Sequence, residues 1–153
     1  MEGMTEMTIW DKLIKLASAG IGAVAGWYGG WTTPMYVLLA FMGVDYLCGL
    51  IVAIMGKSHK TDGGGLDSKV GFSGLFKKVL MLLLVLIGAQ LDKAFGTNTS
   101  VVRDLLCWFY IANEGLSILE NMALAGVPFP AAMKKLLEQT KDKHDNQPDA
   151  GDP

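Results

Sequence analysis

Residues 34–55 read PMYVLLAFMGVDYLCGLIVAIM, an apolar stretch whose only charged residue is Asp45. As an α-helix these 22 residues would be about 33 Å long, enough to cross the roughly 30 Å hydrocarbon core of a bilayer. An aspartate in the middle of such a segment is costly in lipid, which makes Asp45 a candidate for a functional or structural polar contact. The stretch therefore predicts a membrane-spanning helix and an all-α membrane protein.

The composition of the whole chain supports this interpretation. Apolar residues make up 51% of the 153 positions, charged residues only 18%, and the net charge is -2. Soluble domains average about 25% charged residues, and a chain without a basic excess is poorly suited to neutralising a phosphate backbone. Two cysteines with neither CxxC spacing nor a nearby histidine predict no disulfide framework and no zinc site. Nucleic-acid binding and a metal centre are therefore disfavoured, and no cofactor is expected.

Three further segments predict helices that cross the membrane. Residues 75–91 include eleven consecutive apolar positions, and residues 13–31 carry one charge, Lys15, and end in a Trp/Tyr cluster typical of a membrane interface. Residues 101–127 are long enough to span but contain four charged residues, so this helix cannot face lipid on all sides. For the first segment, a position on the membrane surface or removal as a signal peptide remains an alternative.

The chain divides into a transmembrane domain, residues 1–130, and a cytoplasmic segment, residues 131–153. Within the second, residues 131–141 predict a short amphipathic helix, and the polar tail that follows predicts disorder. Three consecutive glycines, residues 63–65, mark a flexible loop between the second and third helices.

Lysines indicate which side of the membrane each connection occupies. They concentrate in the connection between the second and third predicted helices, at its helix boundary, and in the C-terminal tail. By the positive-inside rule both regions are cytoplasmic, and four spans with both termini in the cytoplasm satisfy the distribution. Lys69, Lys77 and Lys78 are assigned to this interface, where a long lysine side chain reaches the headgroups. Glu120 is expected to pair with Lys77 or Lys78 there.

Small residues line one face of the first predicted helix. Ser18, Gly22, Gly26 and Gly30 recur every four residues, so this face is nearly bare backbone. Another helix can approach such a face closely. The spacing predicts helix association, either between subunits or within the bundle of one chain.

The fourth predicted helix gathers its polar residues on one stripe. Wound at about 100° per residue, they fall within a sector of roughly 120°. The stripe contains Arg103, Tyr110, Asn113, Glu114, Ser117, Glu120 and Asn121. The opposite side carries Trp108, Ile111, Ile118, Leu119 and Met122, which suits lipid or apolar neighbours. Such a helix can line water in a pore or hold a polar network inside a bundle.

Asp45 and Glu114 are both expected near the membrane midplane, with no cation at the same depth. Arg103 is eleven residues from Glu114, about 16 Å along a helix, and is therefore too far away to neutralise it. The two acids are then either protonated or face a wet cavity. Their role is open between lining a pore and a structural network in which Asp45 bonds Tyr110 or Asn113.

No catalytic constellation accompanies these residues. The sequence contains no Gly-x-x-x-x-Gly-Lys phosphate loop, and its Ser58/His59 and Asp67/Ser68 pairs lie in a polar loop with nothing to orient them. The chain is predicted not to be an enzyme.

Three groups of residues carry a resemblance to a known family. They are Asp45-Tyr46 with Gly49; Ser68-Lys69, Gly71, Gly74 and Lys77-Lys78; and NEGLSILEN at 113–121 followed by GVPFP at 126–130. Over residues 34–140 the chain resembles the phage holin family that includes the clostridial toxin-secretion holins. The first thirty residues and the three-glycine insertion carry no part of the resemblance.

The resemblance implies a multi-pass protein of the bacterial inner membrane that accumulates harmlessly and then assembles with other copies into lesions. Such lesions release an endolysin or a large toxin and cause timed lysis of the host cell. The partners implied are other copies of the chain and the lipid bilayer, whereas the released protein is a functional rather than a physical partner. Two alternatives remain: a small ion or solute transporter or channel that uses Asp45 and Glu114, and a non-conducting membrane anchor.

Overall fold

The computed structural model describes residues 8–61, 63–96, 99–133, 135 and 139. This part of the chain contains four long α-helices, further helical residues after Pro130, and no strand. The four helices are α1 (Ile9–Trp27), α2 (Thr33–Ile54), α3 (Ser68–Ala94) and α4 (Val101–Ala125). The predicted all-α class is confirmed. Helix α3 begins seven residues before the predicted start, because the Asp67 side chain accepts hydrogen bonds from the Lys69 and Val70 amides at 2.7 and 3.4 Å.

Helix α1 ends four residues before the predicted end. Gly29 and Gly30 follow it with φ of +77° and +92°, a left-handed conformation that a right-handed helix cannot contain. Gly30 therefore lies in the turn between α1 and α2. The small-residue face of α1 is three residues long, Ser18, Gly22 and Gly26, rather than the four that the sequence predicts.

Helices α2, α3 and α4 pack around one apolar core. Its buried members are Met35, Leu38 and Met42 of α2, Val85 of α3, and Cys107 and Ile111 of α4. Partly buried side chains surround them: Tyr28, Val37, Phe41, Met81, Leu82, Leu106 and Tyr110. This three-helix unit is what positions the polar residues of α4 against α2 and α3.

Helix α1 lies outside this core and is held at its C-terminal end. Ala25 is its only buried residue among those described. The Gln90 side chain donates to the Trp27 carbonyl at 2.6 Å, and Lys93 donates to the Gly26 and Trp27 carbonyls at 2.9 and 3.0 Å. These bonds satisfy carbonyls that a helix C-terminus leaves free. Lys93 itself lies in the last turn of α3.

Within the described part of the chain, two helices, α2 and α3, are long and apolar enough to cross a membrane. The outward faces of α3 expose Leu80, Leu83 and Ile87 by 56, 48 and 54%. A surface of this kind suits lipid rather than water. The structure thus supports a membrane protein.

The connection between α2 and α3 folds back on itself. The Ser58 amide donates to the Gly64 carbonyl at 2.9 Å, and the Thr61 hydroxyl to the Gly65 carbonyl at 3.0 Å. At Gly64 a Cβ atom would lie 2.3 Å from the Gly56 carbonyl oxygen, so only glycine permits this close approach. The three glycines therefore shape a specific loop. The tail beyond residue 139, where disorder is expected, lies outside the described residues, and residues 131–133, 135 and 139 are helical.

Candidate functional site

A buried ion cluster joins the three core helices. The Lys78 ammonium of α3 lies 2.8 Å from the Asp45 carboxylate of α2 and also donates to the Glu114 carboxylate of α4. The three side chains are only 11, 13 and 3% exposed. One ammonium therefore faces two carboxylates at the place where α2, α3 and α4 meet.

Asn121 of α4 completes the cluster. Its Nδ2 atom donates to the second oxygen of Asp45 at 3.1 Å, so both oxygens of that carboxylate are bonded. Gly49 lies one turn further along α2, where a Cβ atom would be 3.7 Å from Asn121 Nδ2. The motif residues Asp45, Gly49, Glu114 and Asn121 thus lie together in space.

The expectation that the two acids have no cation at their depth is wrong. Lys78 was assigned to the headgroup interface, but α3 begins at Ser68, which places Lys78 about 15 Å inside the helix. Helical periodicity could have shown that Lys78 turns inward. It shares one helical face with the other buried residues of α3, which are Val85, Gly88, Ala89 and Asp92. The neighbouring Lys77 lies off that face and is exposed.

Two predicted contacts of the polar stripe differ in the structure. Asp45 bonds Lys78 and Asn121 rather than Tyr110 or Asn113, because the Tyr110 ring packs edge-on against Phe109 and Asn113 is exposed. Among the described residues no ion pair joins Glu120 to a lysine, since Lys78 is held by Asp45 and Glu114.

The polar stripe of α4 is buried to different degrees along its length. Arg103, Glu114 and Asn121 are buried, Tyr110, Ser117 and Glu120 are half-buried, and Asn113 is exposed. On the opposite side, Trp108 is 56% exposed, as expected of a side that faces lipid. Ile111 and Ile118 are buried, and Ile111 packs in the core shared with α2, which is the apolar neighbour that the sequence also allows for this side.

Arg103 belongs to a second polar cluster at the other end of the bundle. Its guanidinium donates to the Tyr28 carbonyl at 2.7 Å and to Asp104 at 3.0 Å. Asp92 of α3 accepts from the Val102 and Arg103 amides at 2.9 and 3.0 Å and so caps the start of α4. Arg103 is thus separate from the Glu114 network and fixes the turn between α1 and α2.

A cavity of about 890 Å³ with both charged and apolar walls lies beside the ion cluster. It extends from residues 58–61 of the α2–α3 connection to Asp45, Lys78 and Glu114. Asn113, Ser117 and Asn121 supply its α4 wall. The arrangement brings together charged groups and a cavity, and among the residues that line it no nucleophile is paired with a base, so it is suited to binding a ligand.

Comparison with known proteins agrees with this geometry. A family model described as the bacteriophage holin family matches residues 22–142. An uncharacterized 14.9 kDa protein in the nagH 3' region of Clostridium perfringens is 38% identical over 131 residues, covering 85% of this chain and 94% of that protein. An uncharacterized protein of Clostridium acetobutylicum is 36% identical over 76% of this chain and 87% of that protein.

One relative carries a functional name. A protein of Bacillus phage phi105 named probable holin is 31% identical over 116 residues, which cover 76% of this chain and 80% of that protein. No solved structure gives a significant match. The family is one of non-enzymatic membrane proteins. With most of its length matched, including all of α2, α3 and α4, the chain belongs to the bacteriophage holin family.

Proposed function

We propose that the protein is a holin that oligomerises in the bacterial inner membrane and forms lesions through which an endolysin or a large toxin leaves the cell. Release of the lytic enzyme then lyses the host at a set time. The observation that carries the proposal is the buried ion cluster, because Lys78 bonds both acids within one copy and offsets one of their two charges, so the acids depend less on water. A single copy can therefore reside in lipid without conducting.

On assembly, the polar stripe of α4 would become the lining of a lumen. When α4 turns its stripe toward neighbouring copies, Asn113, Glu114, Ser117 and Asn121 face shared water instead of the bundle interior. The stripe's contacts with α2 and α3 are replaceable by water, whereas the apolar contacts of Ile111 are not. This is the pore-lining role proposed for the stripe.

Helix α1 is proposed to span the membrane and to mediate association between copies. At Gly22 and Gly26 no atom lies within 4 Å of where a Cβ would stand, so this face is open. Four spans would place the Lys-rich α2–α3 connection and both termini in the cytoplasm. Of the alternatives, a cation transporter is less well supported because Lys78 already occupies both candidate acids.

Induced expression in a bacterium should cause abrupt loss of membrane potential after a delay, followed by escape of a cytoplasmic reporter enzyme. The delay is expected because copies with a satisfied polar interior are tolerated until they assemble. Membrane potential and reporter activity in the medium are measured through time. Depolarisation without enzyme release would support a channel or transporter instead, and steady growth at high membrane levels would support an anchor.

Cysteine labelling tests which side of α4 meets water. Asn121 and Ile118 are similarly buried in one copy, at 5 and 9%, but only Asn121 lies on the polar stripe. In a background lacking Cys48 and Cys107, we expect Asn121→Cys to react with a charged thiol reagent when lysis begins, because the thiolate forms in water. Ile118→Cys, the matched control, should stay protected. Equal protection of both during active lysis would exclude α4 as the lining helix.

A further inference from the structure

We propose that the cavity between α2, α3 and α4 binds the headgroup of an anionic phospholipid from the cytoplasmic leaflet. Its volume of about 890 Å³ falls within the range of roughly 300–1,000 Å³ that ligand sites occupy. Basic pockets between membrane helices on the cytoplasmic side are suited to such headgroups. This inference rests on the proposed orientation, with the α2–α3 connection in the cytoplasm, and does not depend on lesion formation.

Three uncommitted cations stand around the cavity. Lys60, Lys69 and Lys77 line it and are exposed, and within the described part of the chain they form no ion pair. The Ser68 and Ser73 side chains also line the cavity and supply hydroxyl donors. Ammonium and hydroxyl groups are the donors that bind a phosphate.

The acids that line the same cavity are already engaged. Asp45 and Glu114 hold Lys78, and Asp67 accepts from two backbone amides at the start of α3. With His59 neutral, the four lysines and three carboxylates that line the cavity give it a formal charge of +1, and the three lysines outside the ion cluster supply this excess. This excess favours an anionic ligand over a cationic one.

The depth of the cavity matches that of the headgroups. Helix α3 has 27 residues and is about 40 Å long, whereas the hydrocarbon core is about 30 Å thick. The excess of about 10 Å falls on the N-terminal end if the apolar run around Val85 is centred in the bilayer. Lys69 then lies in the headgroup region, and Lys77, about 3 Å inside the hydrocarbon core, can extend its ammonium to the headgroups.

The cavity also has apolar walls that suit the acyl chains. Leu50 and Leu66 line it and are 40 and 64% exposed, and Phe72 at the start of α3 is 71% exposed. A lipid whose phosphate meets the lysines can lay its chains along these side chains and the exposed face of α3. Free phosphate, which has no acyl chains, would leave these apolar side chains uncovered.

Native mass spectrometry of the full-length protein in detergent tests the proposal. Phosphatidylglycerol and phosphatidylcholine with matched acyl chains are titrated separately. We expect phosphatidylglycerol to bind more tightly by on the order of tenfold, because each lysine near an anionic headgroup contributes to attraction. Equal binding of the two lipids would overturn the proposal, and so would displacement of phosphatidylglycerol by millimolar inorganic phosphate.

Two sets of charge variants localise the site. Lys60→Gln/Lys69→Gln/Lys77→Gln removes the three lysines of the cavity and should abolish the preference for phosphatidylglycerol. The matched control, Lys12→Gln/Lys15→Gln/Lys57→Gln, removes three charges outside the cavity and should retain the preference. Equal loss in both sets would show general electrostatic attraction and refute a defined site.

A cavity-filling variant keeps every charge and so separates shape from electrostatics. Gly74 lines the cavity, and a Cβ atom there would meet no other atom within 4 Å. Gly74→Phe should therefore fold normally, occupy cavity volume and lower phosphatidylglycerol binding about tenfold or more, the loss expected when a bound headgroup is displaced. Unchanged lipid binding by a folded Gly74→Phe protein would contradict the assignment whatever its lysis phenotype.

Discussion

Replacement of Lys78 by methionine is expected to destabilise the single copy and to advance lysis. The change leaves Asp45 and Glu114 buried with neither a counter-charge nor a donor from α3. Removing one partner of a buried ion pair costs about 3–5 kcal/mol, and here one ammonium serves two carboxylates. Without the lysine, hydration of the two carboxylates in the assembled state lowers their free energy by more than it does in the native protein. The assembled state therefore becomes relatively more favourable.

The adjacent Lys77 provides the control for this prediction. Lys77→Met makes the same chemical change one residue away, at an exposed side chain, and should alter stability by less than about 1 kcal/mol. Thermal unfolding in detergent and time to depolarisation at equal protein level are the measurements. If Lys78→Met matched Lys77→Met in both, the cluster would not hold the closed state.

A compensating variant distinguishes charge from shape. Lys78→Met/Asp45→Asn/Glu114→Gln removes all three charges while keeping side-chain volumes similar. Replacing a complete buried ion cluster by neutral groups is often neutral or stabilising by about 1–4 kcal/mol, so the triple variant should recover the stability lost in Lys78→Met. Failure to recover would indicate that the lysine's hydrogen-bond geometry, rather than its charge, maintains the packing.

The helices could be predicted from the sequence because each one depends on a pattern of residues that are close together in the chain. The apolar run at residues 34–55 and the polar stripe of α4 depend only on residues near each other in the chain. The ion cluster joins Asp45, Lys78 and Glu114, which are 33 and 36 residues apart. Which of two consecutive lysines turns inward depends on how α3 rotates against α4.

The second polar cluster, around Arg103 and Asp92, likewise could not be predicted from the sequence. The sequence contains Asp92 and Lys93 at the end of an apolar run, which predicts a loop. In the structure Asp92 caps α4 and Lys93 binds carbonyls of α1, so both find partners in other helices. A polar residue near a helix end can serve another helix's terminus, and the partner is defined only by tertiary packing.

Gly88→Leu is expected to separate α3 from α4 and to prevent accumulation of a stable single copy. Gly88 is buried at their crossing, where a Cβ atom would lie 2.7 Å from Leu106 Cδ1 and 3.3 Å from both the Arg103 Cα and backbone nitrogen. The Leu106 side chain can move, but the Arg103 backbone belongs to the capped first turn of α4. Small residues permit this close helix approach, and overpacking costs about 1–3 kcal/mol or more.

Gly74 of the same helix is the matched control, because a Cβ there meets open space. Both substitutions gain about 1 kcal/mol in helix propensity, so Gly74→Leu should be neutral or stabilising whereas Gly88→Leu should be strongly destabilising. Displacing α4 would also break the Asp92 cap, whose loss adds about 0.5–2 kcal/mol. Thermal unfolding and membrane protein level measure the contrast. Equal stability of the two variants would show that α3 and α4 do not approach at Gly88, and the placement of Arg103 beside that glycine would then be wrong.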